Sequence, residues 1–405
     1  MPRGPRLFVS AGEASGDLHA AALIRAVRRR APDAEVLGLG GPRMREAGAH
    51  LLADTTHFGI IGVAPLLGGV SHYLDCLSRA DRVLAHDRPD LAVVIDCPGF
   101  HFLLGSRLRA RRIPVLWYIP PQVWAWAPWR VKKLARRFSH VACVLPHEKA
   151  FFEAAGVPAT YVGHPVVDHL RAYEPDEALV ASLRPQADAP LVALLPGSRR
   201  QEVAGILRRQ LDVAAAIAQA DPRCTFVCAL ADEAHRPWTA EALAGAGVSV
   251  RTVVGQTHEV QQAADLALAK SGTTTLELLY YGTPMMVFYN VGWAEWHLVG
   301  RWIITPDYRE RLSLPNALAG RTIVPESMHD RPVTDRERAE AVALLRDPAR
   351  RRRMQEDLAK VREALDVPGA AGHTADLVMD LLGKEVPPPP PLRPSRVSAV
   401  SPVSP

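Results

Sequence analysis

Residues 7–17, LFVSAGEASGD, hold an apolar run, a turn of small residues and the first residues of a helix, in that order. Residues 194–199, LLPGSR, repeat this order in the second half of the chain. An apolar strand followed by a glycine-containing turn and a helix opens a doubly wound parallel sheet. The two stretches therefore predict an α/β chain with two Rossmann-like, doubly wound domains that face one another across a cleft.

The rest of the chain continues the pattern, because short apolar runs alternate with longer helical stretches as in parallel sheets. The predicted strands cover residues 7–10, 36–39, 91–95, 115–119, 141–145, 191–195, 226–230, 248–254, 266–269 and 285–289. Prolines and charges interrupt the pattern between Glu174 and Pro190, which predicts a connector. We expect five segments: an N-terminal domain (1–172), a linker (173–190), a C-terminal domain (191–365), a closing helix (366–385) and a disordered proline-rich tail (386–405).

The composition is that of a globular protein, with 405 residues of which 48% are hydrophobic and 22% charged. The N-terminus leads into the first strand without the apolar segment of a signal peptide, so we expect a cytoplasmic protein. Five cysteines in apolar stretches predict buried, reduced thiols; a metal pair of Cys224 and Cys228 is disfavoured because a strand would place both on one face with Phe226. The net charge of +5 suits nucleic acid, anionic lipid or sugar phosphate alike.

A candidate anion site lies in residues 269–277, AKSGTTTLE, which follow a predicted strand and open a helix. The free N–H groups and the dipole of a helix start favour phosphate, so we predict that Ser271, Gly272 and Thr273 hold a diphosphate. Glu277, one turn later, is placed to bond ribose hydroxyls. Ordinary N-capping by Ser or Thr explains the same residues equally well.

A second candidate is Arg199, whose guanidinium can bind a pyrophosphate bidentately and stabilise it as it leaves. An arginine on the surface without such a role is the alternative.

Carboxylates follow predicted strands in the first half. Asp96 ends the apolar run VVID and can act as a general base on a hydroxyl, although capping of the next helix or turn explains it as well. Glycines at 12 and 16 let a ligand approach the first turn, where the other polar candidates are Glu13, Ser15, Asp17 and His19.

Three tryptophans stand beside a run of cations in residues 123–137. The pattern predicts a patch that contacts a membrane surface or a lipid acceptor, with at least one tryptophan in the core. Nucleic-acid binding, or core packing of all three rings, are the alternatives. The patch residues are Trp124, Trp126, Trp129, Arg130, Lys132 and Lys133.

From residue 7 to about residue 382 the sequence resembles the lipid-A-disaccharide synthase family. The resemblance is carried by SAGEASGD (10–17), DCPGF (96–100), VWAW (123–126), Phe151 with VGHP (162–165), LPGSR (195–199), SGT (271–273) and SLPN (313–316). No single motif is decisive, but their order and spacing together are highly specific.

The resemblance implies a GT-B fold and an inverting glycosyltransferase that needs neither metal nor cofactor. The implied donor is UDP-2,3-diacylglucosamine and the implied acceptor is 2,3-diacylglucosamine 1-phosphate. The products would be UDP and a β-1,6-linked disaccharide 1-phosphate of lipid A and lipopolysaccharide biosynthesis. The enzyme would act in the cytoplasm, peripherally bound to the inner membrane, without a nucleic-acid partner. The resemblance leaves open whether the enzyme forms a homo-oligomer.

The resemblance also implies roles for single residues. Asp96 would be the base for the acceptor 6-hydroxyl, with Glu13 and Ser15 near the reacting sugars in an N-terminal acceptor domain. The C-terminal domain would bind the UDP-sugar through Arg199, Ser271, Gly272, Thr273, Glu277 and Asn316.

The chain departs from the family pattern in two places. Gly99 and His101 stand where many relatives have a second acidic residue and an Asn, and residues 59–65, GIIGVAP, lack a Glu that relatives commonly carry. Two rival functions are another UDP-sugar enzyme, such as a UDP-N-acetylglucosamine epimerase, and a basic nucleic-acid-binding protein. The VWAW and SLPN motifs argue against the first, and the carboxylates Glu13 and Asp96 against the second.

Overall fold

The computed structural model describes residues 3–56, 66–184, 188–198, 200–289, 301–309, 311–328 and 332–383. The chain divides into two compact units. The first unit comprises the described residues up to Asp168 together with those from Leu365 onward, and the second runs from His169 to Ala364. The predicted tail (386–405), the segment 59–65 and Arg199 lie outside the described residues.

The first unit holds a seven-stranded sheet in the order β3-β2-β1-β4-β5-β6-β7, with every neighbouring pair parallel. Its strands are β1 (Arg6–Ala11), β2 (Glu35–Gly40), β3 (His50–Asp54), β4 (Leu91–Ile95), β5 (Val115–Tyr118), β6 (His140–Cys143) and β7 (Ala159–Tyr161). Its helices are α1 (Ala14–Arg30), α2 (Pro42–Glu46), α3 (Leu66–His86), α4 (Pro98–Ala110), α5 (Val131–Arg137), α6 (Pro146–Ala154) and α7 (Pro165–Ala172). The last four residues of α7 belong to the second unit. A 3₁₀ turn covers Pro128–Arg130.

The second unit holds a six-stranded parallel sheet in the order β10-β9-β8-β11-β12-β13. Its strands are β8 (Leu191–Leu195), β9 (Thr225–Leu230), β10 (Val250–Val254), β11 (Leu266–Lys270), β12 (Met285–Phe288) and β13 (Glu326–Ser327). Its helices are α8 (Glu177–Ser182), α9 (Arg200–Ala220), α10 (Arg236–Ala244), α11 (Thr257–Ala263), α12 (Thr273–Tyr281), α13 (Arg301–Ile303), α14 (Leu314–Ala319), α15 (Asp335–Arg346) and α16 (Pro348–Leu365), with 3₁₀ turns at Glu233–His235 and Pro306–Tyr308.

The central strands are buried on both faces because helices cover both sides of each sheet. All five residues of β4 and all five of β8 are buried. This burial explains why these strands appear in the sequence as continuous apolar runs rather than as alternating patterns.

The last described helix, α17 (Ala370–Leu382), returns to the first unit and packs on α1. Asp168 accepts a hydrogen bond from the amide of Ala370 at 2.9 Å and so caps the start of α17. Arg30 of α1 forms an ion pair with Asp376. The end of the chain therefore completes the unit in which the chain begins.

Each sheet reverses its strand order at one place, between β1 and β4 in the first unit and between β8 and β11 in the second. Ligands of doubly wound sheets bind at the carboxyl ends of the strands that flank such a reversal. Glu13 and Asp96 follow the two flanking strands of the first unit, whereas Gly197 and Ser271 follow those of the second. The topology thus places the residues predicted from strand ends at the binding edge of each sheet.

Candidate active site

In the first unit, Glu13 and Asp96 follow two neighbouring strands, and the charges of both act on the thiol of Cys97. β1 and β4 are paired in register up to Ala11 and Ile95, so the residues that follow them leave the sheet side by side. Burial, with contributions from the charges of Glu13 and Asp96, raises the pKa of Cys97 to about 12. Both carboxylates are half-buried, and the site can therefore supply a carboxylate oxygen to a bound hydroxyl.

Asp96 and Cys97 form a strained turn between β4 and α4. Their φ angles are 52° and 43°, in the left-handed region that side chains other than glycine rarely adopt. Each such residue costs about 1–3 kcal/mol unless its surroundings impose the conformation. The amide of Asp96 donates to the carbonyl of Tyr118 at 3.2 Å, and the ring of His101 donates to the carbonyl of Asp96 at 2.6 Å.

The other polar residues of the first turn differ in what they can offer. Asp17 is buried, and its carboxylate accepts hydrogen bonds from the amides of Gly41, Arg43 and Met44, so it holds the start of α2 and is not available to a ligand. Ser15 is exposed and His19 is half-buried.

In the second unit, α12 begins without a side-chain cap. Gly272 precedes the helix with a φ of 136°, which favours glycine, and no side chain caps the helix at this residue. The amides of Thr273 and Thr274 have no acceptor among the described residues. Ser271 and Thr273 thus do not act as N-caps, and the helix start presents the N–H groups that an anion needs.

Glu277 is anchored on the same helix, one turn from its start. One carboxylate oxygen accepts a hydrogen bond of 2.7 Å from the side-chain amide of the buried Gln261. The side chain is half-buried. This bond fixes the direction of the carboxylate.

Asn316 has a different role from the one that the family resemblance implies. Its side-chain oxygen accepts from the amides of Ile323 (2.7 Å) and Val324 (2.9 Å). Its side-chain nitrogen donates to the carbonyl of Val324 (2.8 Å) and to Glu326 (2.6 Å). A fully buried carboxamide with four protein partners has no capacity left for UDP, so we correct its assignment from a direct contact to a structural one.

Two side chains of α9 that sequence reasoning missed, the buried Gln210 and the half-buried Arg209, support the strand ends of this unit. Gln210 donates to the carbonyls of Leu195 (3.2 Å) and Leu268 (2.7 Å) and so links β8 to β11. Arg209 donates to the carbonyl of Tyr289 and the hydroxyl of Ser327, both at 2.7 Å, and burial lowers its pKa to about 10. A polar residue on the apolar stripe of a helix was the available signal for Gln210.

The patch of tryptophans and cations divides between interior and surface. Trp124 is only 4% exposed and donates from Nε1 to the buried Glu148 at 3.0 Å, which confirms that one tryptophan lies in the core. Trp124 must therefore be removed from the predicted membrane-contacting residues. Trp126 and Trp129 are 38% and 53% exposed, and Lys132 and Lys133 are exposed beside them.

Arg130 of the patch is half-buried, with its guanidinium 5.5 Å from the centre of the Phe102 ring. None of the described helices combines the length and the apolar character that crossing a bilayer takes.

Solved structures share the fold across both units. The chain matches UDP-N-acetylglucosamine 2-epimerase of Neisseria meningitidis bound to UDP-GlcNAc with a TM-score of 0.61 and 12% identity, covering 93% of this chain and all of that one. It matches the calicheamicin glycosyltransferase CalG4 with a TM-score of 0.56 and 16% identity, covering 96% and 100%. The predicted α/β fold of GT-B type is confirmed, but identities this low show the fold alone.

Sequence comparison separates the two enzyme classes. The family model described as lipid-A-disaccharide synthetase matches residues 7–373. Lipid-A-disaccharide synthase of Geobacter sulfurreducens is 36% identical over 381 residues, which cover 94% of this chain and 98% of the relative. The Anaeromyxobacter dehalogenans enzyme is 37% identical over 378 residues, covering 93% and 97%. On this evidence the chain belongs to the lipid-A-disaccharide synthase family of glycosyltransferases.

Proposed function

We propose that this enzyme transfers 2,3-diacylglucosamine from UDP-2,3-diacylglucosamine to the 6-hydroxyl of 2,3-diacylglucosamine 1-phosphate. The products are UDP and a β-1,6-linked disaccharide 1-phosphate, so the reaction is an inverting step of lipid A synthesis. The observation that carries the proposal is the pair of carboxylates held at the reversal of the first sheet, in a chain whose family is established.

Asp96 is the base in this proposal. It takes the proton of the acceptor 6-hydroxyl while that oxygen bonds to the anomeric carbon of the donor, and the bond from this carbon to the diphosphate breaks. A positioned base contributes about 10²–10⁴-fold to such a step. The turn at 96 and 97, held by backbone bonds on both sides, supports a carboxylate of fixed direction.

The start of α12 binds the diphosphate of UDP. Two amides without acceptors in the described part of the chain and the positive end of the helix dipole suit an anion that gains charge as it leaves. Ser271 and Thr273 add hydroxyl donors, because neither is used as a cap. Glu277 bonds the ribose, and Arg199, which lies outside the described residues, adds a cation to the leaving group.

The acylated sugars meet the enzyme at a membrane surface. Exposed Trp126 and Trp129 offer amphipathic rings, and Lys132 and Lys133 offer charges that attract anionic lipid. This patch supports peripheral binding of the enzyme to the inner membrane.

The test combines product detection with a matched pair of variants. Purified protein is incubated with both substrates and EDTA, and mass spectrometry should detect a tetraacyl disaccharide 1-phosphate. Asp96→Asn should lower turnover about 10²–10⁴-fold without weakening UDP binding. Asp75→Asn is the control, because this carboxylate pairs with Arg79 on the exposed face of α3.

Two results would contradict the proposal. Absence of product from an enzyme that still binds UDP would indicate another UDP-sugar reaction. A parallel loss of turnover and UDP affinity in Asp96→Asn would remove the base assignment.

A further inference from the structure

We propose that His101 is a positioning residue, which together with Ser10 fixes the direction of the Asp96 carboxylate by holding the carbonyl of Asp96. The inference rests on the proposed role of Asp96 as the base.

His101 lies in the first turn of α4, with its ring enclosed beneath the turn. Nδ1 is 2.6 Å from the carbonyl oxygen of Asp96, and Nε2 is 2.9 Å from the hydroxyl of Ser10 in β1. Both His101 and Ser10 are 0% exposed. Ser10, the imidazole and the bond between them are therefore shielded from water, and the bond from the ring to the carbonyl of the half-buried Asp96 is partly buried.

The chemistry of the partners fixes the tautomer. A carbonyl oxygen can only accept, so the proton of the ring stands on Nδ1 and is donated to Asp96. Nε2 then carries a lone pair and accepts from the hydroxyl of Ser10. The two bonds support one another, because a ring that accepts from Ser10 is held in the orientation from which it donates to Asp96.

The turn needs such a restraint because two successive residues have left-handed backbone angles. The amide of His101 donates to the carbonyl of Cys97 at 3.0 Å, while its ring donates to the carbonyl before it. One residue thus holds two successive carbonyls of the strained turn. Without the ring bond, the peptide after Asp96 loses this side-chain anchor, and relaxation of its backbone would turn the carboxylate.

The ring acts by position rather than by proton transfer. Burial lowers the pKa of His101 to about 4, against a smaller opposing effect of the Asp96 carbonyl, so the imidazole is neutral near pH 7. Apart from Ser10 and the turn, it faces the rings of Phe100 and Trp117, both edge-on. Because the ring is enclosed and neutral near pH 7, the pH profile of turnover should not report it.

Two amide substitutions at residue 101 distinguish the roles of the two ring nitrogens, Nδ1 and Nε2. The side-chain nitrogen of asparagine can occupy the place of Nδ1, whereas the nitrogen of glutamine reaches toward the place of Nε2. His101→Asn should keep the bond to Asp96 and retain most of the turnover. His101→Gln should lose that bond and lower kcat about 10- to 100-fold, the cost of a misplaced catalytic group.

The experiment measures kcat, KM for the UDP-sugar and thermal stability of the full-length enzyme for His101→Asn, His101→Gln, Ser10→Ala and Asp96→Asn. KM for the UDP-sugar should stay unchanged in His101→Gln, since the nucleotide-binding helix belongs to the second unit. Ser10→Ala should reduce kcat less than His101→Gln does, because it leaves the bond to Asp96 in place. His101→Gln added to Asp96→Asn should cause no further loss of kcat.

The outcomes separate the inference from the proposed function. Wild-type turnover in Asp96→Asn would overturn the base assignment and the inference with it. An inactive Asp96→Asn beside a His101→Gln with wild-type kcat would overturn the inference alone, as would a full additional loss in the double variant. If His101→Gln does not fold, a Ser10→Ala enzyme with lowered stability and wild-type kcat would equally overturn it.

Discussion

Substitution of Asn316 distinguishes a structural residue from a ligand contact. In Asn316→Ala, the buried amides of Ile323 and Val324 lose their acceptor, and the carbonyl of Val324 loses a donor. A buried donor without an acceptor costs about 1–3 kcal/mol. The two amides together therefore predict a loss of about 2–6 kcal/mol in the local stability of the second unit.

Asn316→Asp should be worse near neutral pH. The introduced carboxylate would still accept from the two amides, but it would face the carboxylate of Glu326, which lies 2.6 Å from the present side-chain nitrogen. Two like charges at this distance repel, and the donated bond to Val324 would also be lost. Lowering the pH should restore part of the stability of this variant, because the protonated side chain regains a donor, whereas Asn316→Ala should not recover.

Hydrogen exchange measures the effect where it arises. Peptides that contain Ile323 and Val324 should exchange about 30-fold faster or more in Asn316→Ala, which corresponds to the lower end of the predicted loss. Ser313→Ala is the control, because it removes a helix cap worth about 1 kcal/mol and the hydroxyl bonds to Glu326 and Tyr289 but leaves the side-chain bonds of Asn316 in place. Unchanged protection of these amides, with UDP affinity reduced, would refute the reasoning and return Asn316 to the ligand.

Three further changes test other parts of the structure. Gly272→Ala places a side chain at a φ of 136° and should therefore destabilise the start of α12 by about 1–3 kcal/mol. UDP binding, measured by calorimetric titration, should become weaker. Gly245→Ala is the control, because residue 245 has a φ of −93° and open space around it, and it should change neither stability nor UDP binding. Trp124→Phe removes a donor to Glu148, whose pKa burial raises from 4.5 to about 7. Because the pKa of Glu148 is raised in the folded state, native stability falls as the pH rises from 4.5 through about 7 and this carboxyl ionises. The donor from Trp124 favours the ionised form, so Trp124→Phe should lower Tm relative to the wild type more at pH 8 than at pH 5. An equal loss of Tm at both pH values would contradict the role of the bond. Lys132→Glu with Lys133→Glu should weaken binding to anionic vesicles, measured by co-sedimentation, by about 1 kcal/mol of binding free energy for each cation lost. Arg352→Glu with Arg353→Glu changes an exposed pair elsewhere and should leave vesicle binding unchanged.

The sequence reveals the centre of each sheet better than its edges. The apolar runs mark every central strand, since burial on both faces requires an unbroken run of apolar residues. They do not mark β3, β7 or β13, which are three of the four edge strands, although the fourth, β10, lies within the predicted run 248–254. An edge strand is short and partly exposed, as the half-buried residues of β3 and the two-residue β13 show, so it leaves little local signal.

The same distinction holds for the candidate site. The positions of Glu13, Asp96 and Ser271 after strands could be predicted because the end of a strand is visible in the sequence. The roles of Asp17 and Trp124 depend on partners in other elements, α2 and α6. The four bonds of Asn316 likewise involve residues seven to ten positions away, and no spacing rule indicates them.

The two units contribute differently to the proposed reaction. In the second unit, amides at a helix start, hydroxyls and a carboxylate one turn later would suit any UDP ligand, so this unit does not select one UDP-sugar reaction over another. The first unit contributes a half-buried carboxylate on a left-handed turn, and such a turn is maintained only where surrounding bonds impose it. If Asp96 is the base, changes around this turn should alter turnover while UDP binding stays constant, and the specificity of the enzyme for its reaction resides in the turn rather than in the nucleotide site.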